Sequence, residues 1–308
     1  MRDLGEFGLI ERIARLAGGV RSRDVALGIG DDAAVLRLAP AEELVVTTDA
    51  AVAGVHFRFD QETPRTAGRR AAVACLSDLA AMGARPLGLL LALALPPSRS
   101  ATSTLGLVRG VVYEARRAGA PLVGGNVTRS RDVSLTLTAL GAVRRGRALR
   151  RDRGRAGDRL FVTGALGRSA LERARGRVRA VGVPRIAAGR RLAGLAGVGA
   201  CIDLSDGLAA DLLQLCRASR LAARLEVARL PLPAGFAAAC ARVALDPLPA
   251  ALAGGEDYEL LFSTRPRGPS AAALTRRLGV RVTEIGRLEA GRPAVRGVPP
   301  GALGWRHF

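Results

Sequence analysis

Strand-like and helix-like segments alternate along the first half of the chain, and this alternation limits the fold more than any other feature. Residues 44–52 and 87–95 are runs of strand length, and the second run is apolar on both faces, which is typical of a central strand. Helices are predicted over 66–84 and 102–118, and a further strand over 132–143. The alternation predicts an α/β fold.

The second half repeats the alternation after a change of composition. Residues 144–159 are rich in Arg and Gly and poor in apolar residues, so we interpret them as a junction between domains. A length of 308 residues suits two domains of about 150 residues each. The predicted domains are residues 1–145 and 146–308. The second domain is predicted to contain strands at 160–167, 201–207 and 222–230, a helix-prone stretch at 169–196, a helix at 208–219 and a strand pair near 280–287.

All 47 residues of the Lys and Arg class are arginine, and the chain has no lysine. This absence excludes several kinds of active site. A P-loop needs a Lys at the β- and γ-phosphates, a protein kinase needs a strand Lys, and Schiff-base enzymes need a Lys amine. If the chain handles a nucleotide, other groups must hold its phosphates.

The net charge of +20 would ordinarily indicate a polyanionic partner. A GC-rich coding bias explains it equally well, because Ala, Gly, Arg, Pro and Leu are abundant and Asn occurs once. Aromatic residues make up only 3% of the chain, so the stacking side chains that accompany single-strand binding are scarce. We therefore expect no nucleic-acid partner.

The cysteines and the chain start indicate a cytosolic protein. With two histidines, four widely spaced cysteines give no zinc-site spacing, and their apolar neighbours predict buried free thiols. The start of the chain is typical of an amphipathic helix rather than a signal peptide. The apolar run 86–97 is too short to span a bilayer, so we expect no membrane partner.

Acidic residues are scarce, and five sets lie beside small residues at predicted strand ends or on apolar helix faces. A buried carboxylate is costly unless it pairs with a cation or binds metal. Hydroxyls beside carboxylates, as in the TTDA and DLSD segments, suit Mg²⁺, which can bridge phosphate oxygens without lysine. The five sets are Asp31 with Asp32, Asp49, Asp78, Asp203 with Asp206, and Glu256 with Asp257 and Glu259.

Each set also has a purely structural interpretation. Asp31 and Asp32 could form a turn and a cap, Asp206 could start the following helix, and Asp78 could lie on an exposed helix face. Asn126, the single Asn, follows two glycines at a predicted strand end. Its amide could be required there, although a left-handed turn residue would explain it too.

Six segments occur in the order GEFGLIERI, GIGDDAAVL, TTDAAVAGVHF, LSDLAAMGARP, IDLSDGLAADL and GGEDYELLF, and the chain ends in GWRHF. With these segments the sequence resembles the thiamine-monophosphate kinase family, of the superfamily that includes aminoimidazole ribonucleotide synthetase and selenophosphate synthetase. The resemblance spans residues 5–308. LSDLAAMGA is shared by the wider superfamily, whereas TTDAAVAGVHF and GGEDYEL are more specific.

The resemblance implies ATP- and Mg²⁺-dependent phosphorylation of thiamine monophosphate to thiamine diphosphate. The terminal phosphate of the substrate is already an anionic nucleophile, so in-line transfer needs positioning and charge neutralisation rather than a general base. The implied fold is a two-domain α/β structure. Its N-terminal sheet pairs with that of a second subunit into a dimer barrel, and its C-terminal α/β domain packs over the barrel.

The resemblance also implies a set of site residues. The expected metal ligands are Asp32, Thr47, Thr48, Asp49, Asp78, Asn126, Asp203 and Asp206. Of these, Asp49, Asp78 and Asp203 are the expected catalytic carboxylates. The expected ATP contacts are Gly125, Asn126, Arg151 and Ser205. The expected contacts to thiamine monophosphate are His56, Glu256 and Trp305.

Asn126 departs from the family, which usually has a metal-binding Asp after the two glycines. An amide oxygen can coordinate Mg²⁺ but brings no charge, so we expect one ion to be bound more weakly or through water. His56 could instead be structural. Trp305 could be an apolar anchor instead of stacking on a thiamine ring.

Rival members of the superfamily fit less well. Selenophosphate synthetase has a catalytic Lys and Cys with no counterpart here. The hydrogenase-maturation relative ends in a reactive Cys, whereas this chain ends in Phe308. Aminoimidazole ribonucleotide synthetase lacks GGEDYEL. A catalytically inactive relative is favoured only by Asn126.

Overall fold

The computed structural model describes residues 5–18, 22–176 and 181–299. The chain divides into two compact units, the first formed by residues 1–79 and 85–145 and the second by 80–84 and 146–308. Residues 80–84, at the end of a predicted helix, therefore group with the second unit. The assignment of metal, nucleotide and substrate contacts to particular domains stays a prediction.

The first unit contains a two-stranded and a four-stranded sheet. Its elements are α1 (Gly5–Ala17), β1 (Val25–Leu27), β2 (Val35–Leu36), β3 (Glu42–Val52), α2 (Pro64–Ala81), β4 (Arg85–Leu95), α3 (Ala101–Ala118), β5 (Leu122–Arg129) and β6 (Ser134–Arg144). The larger sheet has the order β3-β6-β4-β5, in which β4 and β5 are parallel and the other pairs antiparallel. The helix α3 makes the crossover that parallel strands require.

The two faces of the four-stranded sheet differ in burial. Leu135, Leu137 and Ala139 of β6 are fully buried on the face covered by α2 and α3. On the other face, Leu44 is 50% and Val46 is 54% exposed. We call this second surface the open face; it consists of Leu44, Val46, Thr48, Leu90, Ala92, Thr136, Thr138 and Leu140.

The second unit is built on a six-stranded sheet. Its elements are β7 (Arg159–Thr163), α4 (Arg168–Ala174), α5 (Ile186–Ala193), β8 (Val198–Asp203), α6 (Leu208–Ser219), β9 (Ala222–Leu225), α7 (Phe236–Ala241), α8 (Pro247–Ala253), β10 (Leu260–Thr264), α9 (Ala271–Leu278), β11 (Val282–Glu289) and β12 (Ala294–Arg296). The strand order is β12-β9-β11-β7-β10-β8. Leu208, Leu212 and Leu215 form one apolar stripe of α6 and pack in the core with strand residues such as Leu160 and Ile202.

The predicted α/β fold is confirmed, and the long strands and helices of the first half are present. The helix-prone stretch predicted at 169–196 contains two helices, because α4 ends at Ala174 and α5 begins only at Ile186. Pro184 lies just before α5 and disfavours helical backbone at the residue before it. All four cysteines are buried and free, as predicted. Among the described residues, no helix has both the length and the apolar character needed to cross a membrane.

Candidate active site

Side chains from β3 and α2 meet in the first unit. The hydroxyl of Thr47 donates a hydrogen bond to Oδ2 of Asp78 at 2.5 Å. Cys75, one turn earlier on α2, is buried, and burial raises the pKa of its thiol; the carboxylates of Asp49 and Asp78 raise it further. Both carboxylates are therefore near this thiol. Asp49 lies two residues from Thr47 on the same face of β3. We call Thr47, Asp49 and Asp78 a cluster, and their side-chain oxygens suit a hard cation.

Thr48 does not join this cluster through its side chain. Successive side chains of a strand point to opposite faces, so Thr48 lies on the open face. Its hydroxyl is 3.2 Å from that of Thr138 and donates to the carbonyl of Leu137 at 3.1 Å. Asp49 is paired with Leu137 in the interior of β3, which continues to Val52. Asp49 therefore lies inside the strand predicted over 44–52, three residues before the observed end of β3 at Val52.

Asp32 lies in the exposed connection between β1 and β2. Its backbone N–H donates to Oδ1 of the adjacent Asp31 at 2.8 Å, and the chain bends here. The next element is the strand β2 and not a helix, so the alternative interpretation of this pair as a helix cap is wrong. The role of Asp32 as a metal ligand stays a prediction.

Asn126 is exposed on β5, where it pairs with Ala92 of β4. Its predicted place at a strand end is wrong, because the parallel ladder continues through Val127 to the end of β5. A Cβ at Gly125 would lie only 1.9 Å from the carbonyl oxygen of Leu91, so this approach of the two strands requires glycine.

In the second unit, two loops that carry predicted site residues are hydrogen-bonded to each other. Asp203 ends β8, and Ser205 and Asp206 follow it in the turn before α6. The N–H of Glu256 donates to the carbonyl of Ser205 at 2.7 Å, and the N–H of Tyr258 donates to the carbonyl preceding Ser205 at 2.8 Å. The structure thus brings Asp203, Ser205, Asp206 and Glu256 into one region.

The second of these loops has an unusual backbone. Glu256 and Tyr258 have φ values of 57° and 51°, in the left-handed region that residues other than glycine seldom adopt. Such conformations cost on the order of 1–3 kcal/mol each and cluster at functional sites. Their occurrence here favours a functional role for the GGEDYEL segment.

Asp211 was not predicted, although it holds the first of these loops in place. Its Oδ2 accepts the N–H groups of Ser205, Asp206 and Gly207 at 3.0, 3.1 and 3.1 Å. Burial raises the pKa of Asp211 to about 8, with further raising by Asp203 and Asp206, whereas the N–H donors lower it. The sequence does carry a signal for this role of Asp211: an acidic residue in the first turn of a helix that follows an Asp-Gly turn.

The acids of GGEDYEL separate into different environments. Oε2 of Glu256 accepts from Nη1 of Arg173 at 3.0 Å. Oδ2 of Asp257 accepts from the N–H of Gly167 at 2.9 Å, at the start of α4. Burial raises the pKa of Asp257 to about 6. Asp257 therefore organises the start of α4, and Glu256 is the better placed of the two for ligand contact.

Glu259 is a structural residue. It is 4% exposed, and both of its oxygens accept from the guanidinium of Arg185, with Nε–Oε2 at 2.6 Å. The hydroxyl of Thr163 also donates to Oε2 at 2.6 Å. This buried network fixes β7 against the segment that leads into β10.

The second unit does not place the backbone of Arg151 beside Ser205. The carbonyl of Arg151 accepts a hydrogen bond from the hydroxyl of Ser219 at 2.7 Å. Ser219 is the last residue of α6, whereas Ser205 lies before the start of that helix. A helix of 12 residues is about 18 Å long at 1.5 Å per residue. The ATP contact of Arg151 stays a prediction, and Trp305 lies outside the described residues.

Across residues 5–18, 22–176 and 181–299, no group of three or more His, Cys, Asp or Glu side chains is arranged to hold one metal ion. The expected ligands are instead distributed over the two units: Asp32, Thr47, Thr48, Asp49, Asp78 and Asn126 in the first, and Asp203 and Asp206 in the second. Their metal-binding roles stay predictions.

Comparison with known proteins gives a consistent result. Residues 30–143 match the family model of the AIR synthase related protein, N-terminal domain. The thiamine-monophosphate kinase of Synechococcus elongatus is 36% identical over 308 residues, which cover 94% of this chain and 90% of that protein.

Solved structures extend the similarity to the fold. The crystal structure of thiamine-monophosphate kinase from Stenotrophomonas maltophilia K279a has a TM-score of 0.82 at 36% identity, covering 96% of this chain and 97% of that one. The structure of AaThiL complexed with AMPPCP and TMP has a TM-score of 0.76 at 30% identity, covering 100% of this chain and 98% of that one. The chain therefore has the AIR synthase-like fold and belongs to the thiamine-monophosphate kinase family.

Proposed function

We propose that this protein transfers the γ-phosphoryl group of ATP to thiamine monophosphate, which yields thiamine diphosphate and ADP. One observation carries the proposal: the chain matches AaThiL, complexed with the ATP analogue AMPPCP and with TMP, over its whole length at 30% identity. The relatives with 36% identity and 94% coverage support the same activity.

We also propose that the carboxylates hold Mg²⁺. The oxygens of Thr47 and Asp78 are already 2.5 Å apart, and Asp49 lies near the same buried thiol as Asp78. In the part of the chain that the structure describes, no arginine forms an ion pair with Asp78. This donor set fits Mg²⁺, and the bound ion would neutralise phosphate charge. The other proposed ligands are Asp32, Asn126, Asp203 and Asp206, with Thr48 disfavoured because its hydroxyl lies on the open face.

The nucleotide is proposed to contact Gly125, Asn126, Ser205 and Arg151. The first two lie exposed on β5, the edge strand of the four-stranded sheet, which leaves room for a ligand beside the backbone. The turn of Ser205 is held by Asp211, so its hydroxyl is presented from an ordered backbone. Ordered donors cost little reorganisation when a phosphate binds.

The thiamine monophosphate is proposed to contact His56, Glu256 and Trp305. Glu256 is half-buried and fixed by Arg173, and it is hydrogen-bonded through its backbone to the Ser205 turn. This link supports an arrangement in which one loop pair of the second unit serves both the nucleotide and the acceptor.

The chemistry required of the side chains is mainly positioning. The acceptor oxygen of thiamine monophosphate carries negative charge at neutral pH, so no side chain needs to remove a proton from it. Asp49, Asp78 and Asp203 are proposed to oppose the mutual repulsion of the two phosphates by holding the neutralising cations. Alignment of donor and acceptor then supplies the rest of the rate enhancement.

The open face supports the proposal of a homodimer. Leu44 and Val46 are each at least half exposed on a regular sheet. A contiguous apolar surface on a sheet is typical of a protein–protein interface. Pairing of two such faces around a two-fold axis would form the dimer barrel that the family resemblance implies.

The four buried free thiols support a reducing compartment, and we propose the cytosol. Buried thiols in such a compartment need no disulfide partner, which fits their wide spacing in the chain.

The activity is tested by incubation of the purified protein with Mg²⁺, ATP and thiamine monophosphate. We expect thiamine diphosphate and ADP in equal amounts, and no product when Mg²⁺ is chelated. Absence of thiamine diphosphate from a folded protein that still binds ATP would contradict the proposal. It would favour the catalytically inactive relative instead.

A further inference from the structure

The segment from Ala53 to Thr63, between β3 and α2, is called the His56 loop. It is ordered by its own contacts: Phe57 is 4% exposed, and its carbonyl accepts from the N–H of Gly54 at 2.8 Å. The N–H of Val52 donates to Nδ1 of His56 at 3.1 Å. Because Nδ1 is an acceptor, the neutral ring carries its proton on Nε2. Nε2–H is therefore the group through which the ring can donate a hydrogen bond.

Arg70 reaches from α2 to two points of this loop, His56 in its first half and Glu62 near its end. Its Nη2 donates to the backbone carbonyl of His56 at 3.1 Å, and its Nη1 forms a short ion pair with Oε1 of Glu62. The side chains of Arg70 and Glu62 are only 12% and 1% exposed, so water screens the attraction between their charges little. A planar guanidinium holds two acceptors in a fixed relative geometry. The position of His56 is thus set through its ring by Val52 and through its carbonyl by Arg70.

We propose that Arg70 and Glu62 are positioning residues for His56, and that they fix the place of Nε2–H for the phosphate of thiamine monophosphate. The inference rests on the proposed function, in which His56 contacts that substrate. Neither Arg70 nor Glu62 needs to touch the substrate, because Arg70 joins the His56 carbonyl to the carboxylate of Glu62.

A second ion pair in the same loop provides a matched control. Nη2 of Arg58 lies 2.8 Å from Oδ2 of Asp60, but these side chains are 59% and 60% exposed. An exposed pair of this kind contributes little to stability. Its two side-chain hydrogen bonds run from Arg58 to Asp60. Asp60→Asn removes this exposed ion pair. It therefore tests whether the effect on substrate binding is specific to loss of the buried Arg70–Glu62 pair.

The experiment compares Arg70→Lys, Glu62→Gln and Asp60→Asn in steady-state kinetics. Lysine keeps the charge of Arg70 but loses the planar fork. We expect both buried-pair variants to raise KM for thiamine monophosphate about tenfold, with KM for ATP changed by less than about twofold. Asp60→Asn should leave both constants near the wild-type values. Thermal unfolding of each variant shows whether it is folded, and Glu62→Gln decides the matter if Arg70→Lys does not fold.

A double-mutant cycle with His56→Ala separates positioning from a general structural effect. We expect Arg70→Lys to change KM for thiamine monophosphate by less than about twofold when His56 is already absent. The inference is overturned if the full effect persists in the His56→Ala background, if KM for ATP rises in parallel, or if KM for thiamine monophosphate does not change. A wild-type enzyme that forms no thiamine diphosphate would instead overturn the proposed function, and the inference with it.

Discussion

The hydroxyl of Thr47 on β3 donates to the carboxylate of Asp78 on α2 at 2.5 Å. These residues are 31 positions apart in the chain, and their contact joins the sheet to the helix that covers it. The neighbouring Thr48 points to the open face and contacts Thr138 instead. Adjacent threonines in one motif therefore have different surroundings, and this difference can be tested.

Thr47→Val should weaken Mg²⁺ activation more than Thr48→Val. Valine keeps the shape of threonine but removes the hydroxyl beside Asp78. Loss of one such interaction, worth about 1.4 kcal/mol, corresponds to an increase of about tenfold in the half-saturating Mg²⁺ concentration. Mg²⁺ titration of the kinase rate in both variants measures the difference. Equal effects of the two substitutions would contradict the proposal that Thr47 and Asp78 contribute to a Mg²⁺ site.

Asn126→Asp should strengthen Mg²⁺ binding. The substitution adds a carboxylate where the family usually has one, and carboxylates bind Mg²⁺ more strongly than neutral amides do. We expect the half-saturating Mg²⁺ concentration to fall by about threefold to tenfold, which is on the order of 1 kcal/mol. Asn126→Ala, which removes the oxygen, should raise it. A site indifferent to both substitutions would show that Asn126 does not bind metal.

Asp211→Ala should destabilise the second unit strongly. It would leave three N–H groups without their acceptor, those of the half-buried Ser205 and Asp206 and of the buried Gly207. The expected loss in free energy of unfolding is about 2–4 kcal/mol. Asp246→Ala is the control, since Asp246 caps α8 through one N–H, that of Leu248 at 3.0 Å, and cap loss costs about 1 kcal/mol. Denaturant unfolding of both variants measures these losses. Similar losses in free energy of unfolding for the two variants would contradict the prediction.

Asp257 should make the stability of the protein depend on pH. Burial raises its pKa in the folded state to about 6, above the unfolded value of about 3.9. The folded state therefore binds more protons between these values. The stability contributed by the protonated group is complete below about pH 4 and is lost as pH rises through about 6. Relative to Asp257→Asn, the wild-type protein should lose up to about 3 kcal/mol of unfolding free energy between about pH 4 and pH 7. Denaturant unfolding of both proteins at several pH values measures this change. A difference in unfolding free energy that stays constant with pH would show that the pKa of Asp257 is not raised.

Val46→Asp should disrupt the proposed homodimer. Val46 is 54% exposed on the open face, and a charge there would be buried without a partner in the paired barrel. Light scattering should show a change from about twice the chain mass of 32.0 kDa to the mass of one chain. A wild-type protein that is monomeric at high concentration would contradict the proposal.

The sequence indicated the α/β fold, because apolar periodicity reports which faces of a segment are buried. Residues 87–95 were predicted as a central strand and lie in β4, and the predicted helix 102–118 is α3 almost to the residue. At 169–196 the high helix propensity of the Arg- and Ala-rich stretch indicated helix without showing that it forms two helices, α4 and α5, of which the second begins after Pro184.

The sequence by itself determined the residue types of the candidate site and the family to which the chain belongs, because both depend on local motifs. Only the tertiary structure decided which members of a motif meet. Strand alternation separated Thr47 from Thr48, and the fold of α6 brought Asp211 back onto the turn of Ser205. Hydrogen bonds between distant segments also joined Glu256 to that turn. Such contacts depend on the packing of elements in three dimensions, for which no short stretch of sequence carries a signal.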